Sequence, residues 1–256
     1  MSETASPILY NLDGAVARIT LNRPDKRNAL NDNLVAELKT ALRRANEADG
    51  IRAVVISGAG RDFCSGADLT SLQIIANGSL VENVDDARSL MELFALIRKV
   101  TVPVVGAVRG KALAGGCGLA SACDIVLASH SARFGYPEVK IGFVPAMVLA
   151  LLRRNVSEKR AFELLTRGAE IGAEEALKLG LVNQVFADET FEADVMTYVR
   201  EFEKTSKSAI ALTKNLFYQI DGMSFGSALE TGVDTNVIAR LTEDCKKGVT
   251  RFLTKE

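Results

Sequence analysis

VPVVGAVRGKALAGGCGLASACDIVLAS, residues 102–129, is the stretch on which the reading of this chain turns. It opens on a continuous apolar run (102–108), passes a turn containing Gly110, offers a short helix from Gly115 and returns to a second strand-like run (124–129). Apolar runs without alternation, separated by a glycine turn and a helical segment, are expected of strands buried on both faces of a parallel sheet. A helix starting at Gly115 also presents unpaired amide donors and a positive dipole end, which favour a developing negative oxygen.

The same alternation extends in both directions. Upstream, residues 53–57 form a continuous apolar strand, preceded by a helix whose apolar positions Leu34, Val35, Leu38, Ala41 and Leu42 recur at helical spacing. Asn31 or Asp32 can cap that helix, which ends near Asp49-Gly50. A further helix is expected around 87–99. At the start, β-rich runs over 8–12 and 15–21 flank Asp13-Gly14, a dipeptide suited to the positive φ angles of a hairpin turn. Strands alternating with helices predict an α/β core with largely parallel pairing. From Ser157 onward helix follows helix, over 157–166, 173–179, 191–204, 208–220 and 226–240, which reads as a lid or assembly element. No proline-rich linker intervenes, so a core over 1–195 and a helical region over 196–256 are expected to form one functional domain. Residues 73–86 are the least periodic internal stretch and read as a mobile binding loop.

Composition narrows the function classes. A chain of 256 residues needs no disulfide or metal to hold its core. With 31 basic and 32 acidic residues it carries a formal charge of -1, and no footprint for nucleic acid or anionic membrane. No apolar run reaches the ~18 residues of a membrane span. Cys64, Cys117, Cys123 and Cys245 form no C-x-x-C pair and His130 is the sole histidine, which argues against a zinc site. The cysteines read as buried thiols of a reducing compartment. MSETASPILYNLDG lacks the marks of a secretory or transit peptide, so a cytoplasmic location is expected and the sequon at Asn77 reads as chance.

Glycine motifs need spacing to carry meaning. Gly58-Ala59-Gly60 would require a third glycine at the position of Phe63, and Gly106 to Lys111 has three residues between its glycines where a P-loop has four, with Ala112 after the lysine. Neither is a phosphate loop. No G-x-S-x-G elbow accompanies His130, which argues against a serine hydrolase. Glu138 follows Pro137 in apolar surroundings that disfavour its ionised form, as suits a general acid or base; a surface pair with Lys140 is the alternative.

Four ordered blocks then resemble one family. ITLNRPDKRNALN (19–31), VVISGAGRDFCSGADL (54–69), GKALAGGCGLASACDIVLAS (110–129) and RFGYPEVKIGFVP (133–145) are similar to the hallmark segments of the enoyl-CoA hydratase/isomerase (crotonase) family, and the likeness runs through nearly the whole chain. The resemblance implies a spiral of ββα units followed by a helical trimerisation region, giving homotrimers or dimers of trimers. It implies an acyl-CoA thioester as partner, with coenzyme A part of the substrate, no separate cofactor, no metal, and a place in fatty acid metabolism. It implies the backbone N–H groups of Ala67 and Gly115 as the two donors to the thioester oxygen. Ala67, Asp68 and Leu69 match the segment beside adenine and pantetheine, Lys26 and Arg27 lie where the family reads CoA phosphates, and Phe252 and Lys255 match positions that reach a neighbouring subunit's nucleotide.

An apolar acyl pocket is expected from Leu72, Ile74, Ile75, Tyr136, Phe143, Val144 and Met147. One departure bears on the reaction. Glu138 matches the second of two family glutamates, but Gly118 stands at the first. A single carboxylate can move a proton from one carbon to another, which is isomerisation. Hydration would need another polar group, with Asp85, Asp86 and Glu92 as candidates; an acyl-CoA binder of weak activity is a further alternative.

Overall fold

The computed structural model describes residues 6–254, apart from the side chains of Leu69, Leu72 and Ile74. Strands β1 (Ile8–Asp13) and β2 (Val16–Leu21) form the opening hairpin. Its connection is Gly14-Ala15 rather than Asp13-Gly14: Asp13 completes the ladder opposite Val16, and Gly14 alone takes the left-handed backbone, at φ 58°. Asn31 caps α1 (Asp32–Glu47) by accepting from the Leu34 N–H. There follow β3 (Ala53–Gly58), α2 (Leu69–Asn77), α3 (Leu80–Lys99), β4 (Val104–Val108), β5 (Lys111–Leu113), α4 (Gly115–Ala122), β6 (Ile125–Ser129) and β7 (Arg133–Gly135). The remainder is α5 (Ala146–Asn155), α6 (Glu158–Arg167), β8 (Glu170–Gly172), α7 (Ala173–Leu179), β9 (Gln184–Phe186), α8 (Phe191–Arg200), α9 (Lys207–Gln219), α10 (Phe225–Leu241) and α11 (Glu243–Thr254).

The larger sheet has the order β1-β2-β3-β4-β6-β9 and is parallel throughout except at the hairpin. The smaller has the order β5-β7-β8 and is extended by single parallel bridges, Leu30 to Ala67 and Cys64 to Ala112. Each turn of the chain therefore lays one strand in the large sheet, one short extended segment in the small one, and then a helix. This is the expected spiral of ββα units. Both faces of the large sheet are covered, which is why its strands read as unbroken apolar runs. Val54, Ile56, Val104 and Val126 face the main core with α1, α3 and α4, while Val55, Val105 and Leu127 pack beneath Phe191, Val195 and Val199 of α8.

Residues 73–86 are not an irregular loop. They lie in α2 and α3, separated at Gly78 and Ser79, where Ser79 and Glu82 form a reciprocal capping box. Periodicity missed them because Leu80, Val81 and Val84 are exposed, so the first turns of α3 have no buried face to reveal them. The S-x-x-E spacing was the available signal. The C-terminal third is not purely helical either: β8 and β9, three residues each, are too short to show a period, yet β9 closes the large sheet against β6. Helix α9 is tied to the core by Lys214, whose buried ammonium donates to the carbonyls of Ile97 and Val102 and to Asp124 at 2.6 Å. No helix among the described residues is long and apolar enough to cross a membrane.

Candidate active site

Three successive turns of the spiral are stapled together by buried polar groups. Asn28, fully buried, accepts from the Arg23 N–H and donates to the carbonyls of Ala59 and Asp62. Asp62 in turn accepts from the Lys111 N–H through Oδ1. Backbone bonds complete the lamination, from Ser65 to Arg27, Leu30 to Gly66, Cys64 to Lys111 and Leu113 to Cys64. The segments 26–30, 64–68 and 111–115 are thereby held side by side.

Ala67 and Gly115 meet at this junction. Leu30 bonds to the residues flanking Ala67, as a parallel bridge requires, so the Ala67 N–H turns to the opposite, exposed side. Gly115 heads α4, and its N–H has no acceptor within the helix. The loops touch at Gly66, at φ 98°: a Cβ there would stand 2.9 Å from that of Ala114 and 3.7 Å from the Gly115 nitrogen. Only glycine permits that approach. Ala114, just before the helix, is held at φ 49°, ψ −125°, a strained conformation for alanine, fixed by its N–H bond to the Gly135 carbonyl at 2.8 Å. Two amide donors on adjacent rigid segments can together hold one negative oxygen.

Glu138 approaches from β7. That strand pairs with β5, and its continuation, the 3₁₀ turn Pro137–Ile141, packs against α6 and brings the Glu138 charge within reach of Cys117 in the first turn of α4. Gly142, left-handed at φ 86°, closes the turn, and Phe143 donates to the Glu138 carbonyl. The Glu138 Oε2 is buried and has no hydrogen-bond partner, and burial raises the carboxyl pKa above its ordinary value. Its charge is felt by Cys117 and Tyr136. No ion pair to Lys140 forms among the described residues. Burial pushes the Cys117 thiol up to about 12, which leaves it protonated and inert.

The other expected site residues are placed unevenly. Lys26 and Arg27 are exposed beside the 65–68 segment, and Lys26 is close enough to lower the pKa of Asp68. Asp68 is not free: it caps α2 through the Thr70 N–H, the main cause of its lowered pKa, and pairs with Arg23 at 2.6 Å. Sequence reasoning passed over both Arg23 and Asn28, since neither stands in a periodic pattern. Phe143 and Val144 are exposed and Met147 is half-buried. Tyr136 is 1% exposed, its hydroxyl 3.2 Å from Ser121 Oγ, so it belongs to the packed floor under α4 and not to an open wall. Phe252 is exposed on α11; Lys255 and the side chains of Leu69, Leu72 and Ile74 lie outside the described residues.

Gly118 is buried, and a Cβ there would stand 2.9 Å from Val148 Cγ2 and 3.1 Å from Phe94 Cζ. Of the possible replacement carboxylates, Glu92 is paired with Lys39 at 3.0 Å, Asp85 is exposed, and Asp86, with its pKa raised by desolvation and then by Asp32, stands one helical turn before Leu90. A separate cleft of about 340 Å³, lined by Asp124, Lys214 and Tyr218 among others, opens at the far end of α4 from Gly115.

The family model for enoyl-CoA hydratase/isomerase matches residues 11–256. The chain belongs to the enoyl-CoA hydratase/isomerase family. Among relatives, 2,3-dehydroadipyl-CoA hydratase of Escherichia coli is 32% identical over 98% of this chain and 96% of its own. Crotonyl-CoA hydratase of Syntrophomonas wolfei is 32% identical over 97% and 95%. The solved structure of an enoyl-CoA hydratase from Mycobacterium smegmatis superposes with TM-score 0.93 at 31% identity, covering 98% of this chain and 97% of that one. The protein is thus a crotonase-fold enzyme of the hydratase/isomerase type, acting on an acyl-CoA.

Proposed function

We propose that this enzyme relocates the double bond of an enoyl-CoA, with Glu138 as its single general acid/base and the N–H groups of Ala67 and Gly115 as donors to the thioester oxygen. The observation that carries this reading is the partnerless, buried Oε2 of Glu138 beside the first turns of α4. A carboxylate with a raised pKa is basic enough to take a proton from the carbon next to the thioester. The carbonyl oxygen gains charge in that step, and donors placed for it contribute about a hundred- to a thousandfold each. Lys26 and Arg27 would meet the CoA phosphates, and Phe143, Val144 and Met147 the acyl chain.

A second reading, hydration with a non-standard water-holding group, is favoured by the hydratase names of the relatives. Crotonyl-CoA and a 3-enoyl-CoA, assayed separately by product mass and by absorbance of the conjugated thioester, distinguish the two. Conversion of the 3-enoyl substrate without mass gain, reduced at least a hundredfold in Glu138→Gln, is the expected result. Gain of one water on crotonyl-CoA at a comparable rate would support the second reading. Turnover indifferent to Glu138→Gln would leave an acyl-CoA binder.

The same proposal extends to assembly as a trimer or dimer of trimers. Phe225, Leu229, Val233, Val237 and Leu241 recur every fourth residue of α10 and are 51–81% exposed, a stripe that one chain leaves bare. A cytoplasmic location is supported by four unpaired cysteines, three buried and Cys245 half-buried.

A further inference from the structure

Helix α3 runs alongside α4 with its apolar residues in step: Leu90 Cδ2 lies 3.9 Å from a Cβ placed on Gly115, and Phe94 Cζ 3.1 Å from one placed on Gly118. From the other side α5 brings Val148 within 2.9 Å of the same point. Both Phe94 and Val148 are 4% exposed. The surface of α4 that continues inward from the Gly115 N–H is therefore walled by hydrocarbon, and no side chain can grow from residue 118 without displacing that wall.

We infer that Phe94 and Val148 form an apolar plug over Gly118 which excludes water from one side of the bound acyl chain, and so selects proton transfer over hydration. The inference rests on the reading of Glu138 given above and adds the residues that choose between its two reactions. In the favoured one, the Glu138 carboxylate takes a proton from C2 of a 3-enoyl thioester. The electron pair spreads into the thioester oxygen and the existing double bond, and the same carboxyl returns the proton at C4. The double bond then lies between C2 and C3, with nothing oxidised and no water consumed. Hydration instead adds water oxygen to C3 and a proton to C2, which needs a water held near C3 by a polar group. Hydrocarbon cannot hold it, because a water needs two or more polar partners.

The plug also explains why Gly118→Glu by itself would not create a two-carboxylate site: the new side chain would be driven against Phe94 and Val148. Opening the plug and adding the carboxylate should do so. In Phe94→Ala/Gly118→Glu, hydration of crotonyl-CoA is expected to rise at least tenfold over the wild-type protein, whereas Gly118→Glu alone raises it less than twofold. Phe94→Leu/Gly118→Glu removes the crowding ring tip with a smaller loss of packing and serves if the alanine form does not fold. A wild-type protein that hydrates crotonyl-CoA as fast as it isomerises a 3-enoyl-CoA would overturn the inference. So would a folded double variant without hydration gain, while isomerisation abolished by Glu138→Gln left the reading of Glu138 standing. Absence of both turnovers in the wild-type protein would overturn the two together.

Discussion

Glu138 is held where its charge is disfavoured, and this has a consequence for stability as well as for turnover. Its folded pKa is raised above the unfolded value by burial, so the folded state holds the proton more tightly. The stability contributed by the protonated carboxyl is present below the unfolded pKa and is lost as pH rises through the folded one. Glu138→Gln cannot ionise, so its melting temperature should exceed that of the wild-type protein by a margin that widens as pH rises through that window. Paired thermal melts at acidic and mildly alkaline pH would measure this; a margin independent of pH would mean that the carboxylate is solvated. The residue was legible in the sequence because Pro-Glu stands in an apolar block. Asn28 and Arg23 were not, since a buried asparagine and a surface one look alike until the chain has folded around them.

At the scale of elements, the donors owe their position to lamination of short segments. Two of the three hydrogen bonds of Asn28, to the carbonyls of Ala59 and Asp62, link the first turn of the spiral to the second, the third bracing its own loop at Arg23, and the bond from the Lys111 N–H to Asp62 links the second to the third. Asn28→Ala leaves an amide N–H and two carbonyls without partners in a buried space, which should destabilise the protein by about 2–4 kcal/mol in denaturant titration. Activity should fall in the folded variant as well, because the 64–68 segment loses its support; unchanged kcat/KM would show that the backbone bonds suffice. Strands β3, β4 and β6 were readable as unbroken apolar runs, and α1 by its period and cap. The start of α3 was not, because its Leu80, Val81 and Val84 are exposed and a helical turn that buries no stripe leaves no periodic trace.

At the scale of the whole molecule, α10 and α11 bury no residue within the chain. An apolar stripe of this length left in water favours association, at about 25 cal/mol per Å² of apolar surface removed. The protein should sediment as a trimer or larger at micromolar concentration, and Val233→Asp/Val237→Asp should shift it toward monomer while retaining its helical circular dichroism. A wild-type protein sedimenting as a monomer would sink the proposal that this face is covered by further copies. Lys214 should keep α9 in place in either state, since its ammonium is bound from α3, β4 and α4 neighbours and not from α10.

The sequence by itself determined the alternation of strands and helices, the parallel character of the sheet, the glycine-lined junction and the one carboxylate near it, because each is written in local pattern: period, turn chemistry, and a charge among apolar neighbours. The tertiary structure decided which backbone donors face outward, that Asp68 is committed to Arg23 and the cap of α2, and that Tyr136 lies in the floor. It also decided that Gly118 faces hydrocarbon instead of an empty slot. Those outcomes depend on contacts between residues far apart in the chain, 24 positions from Phe94 to Gly118 and 30 from there to Val148, and no local pattern encodes them.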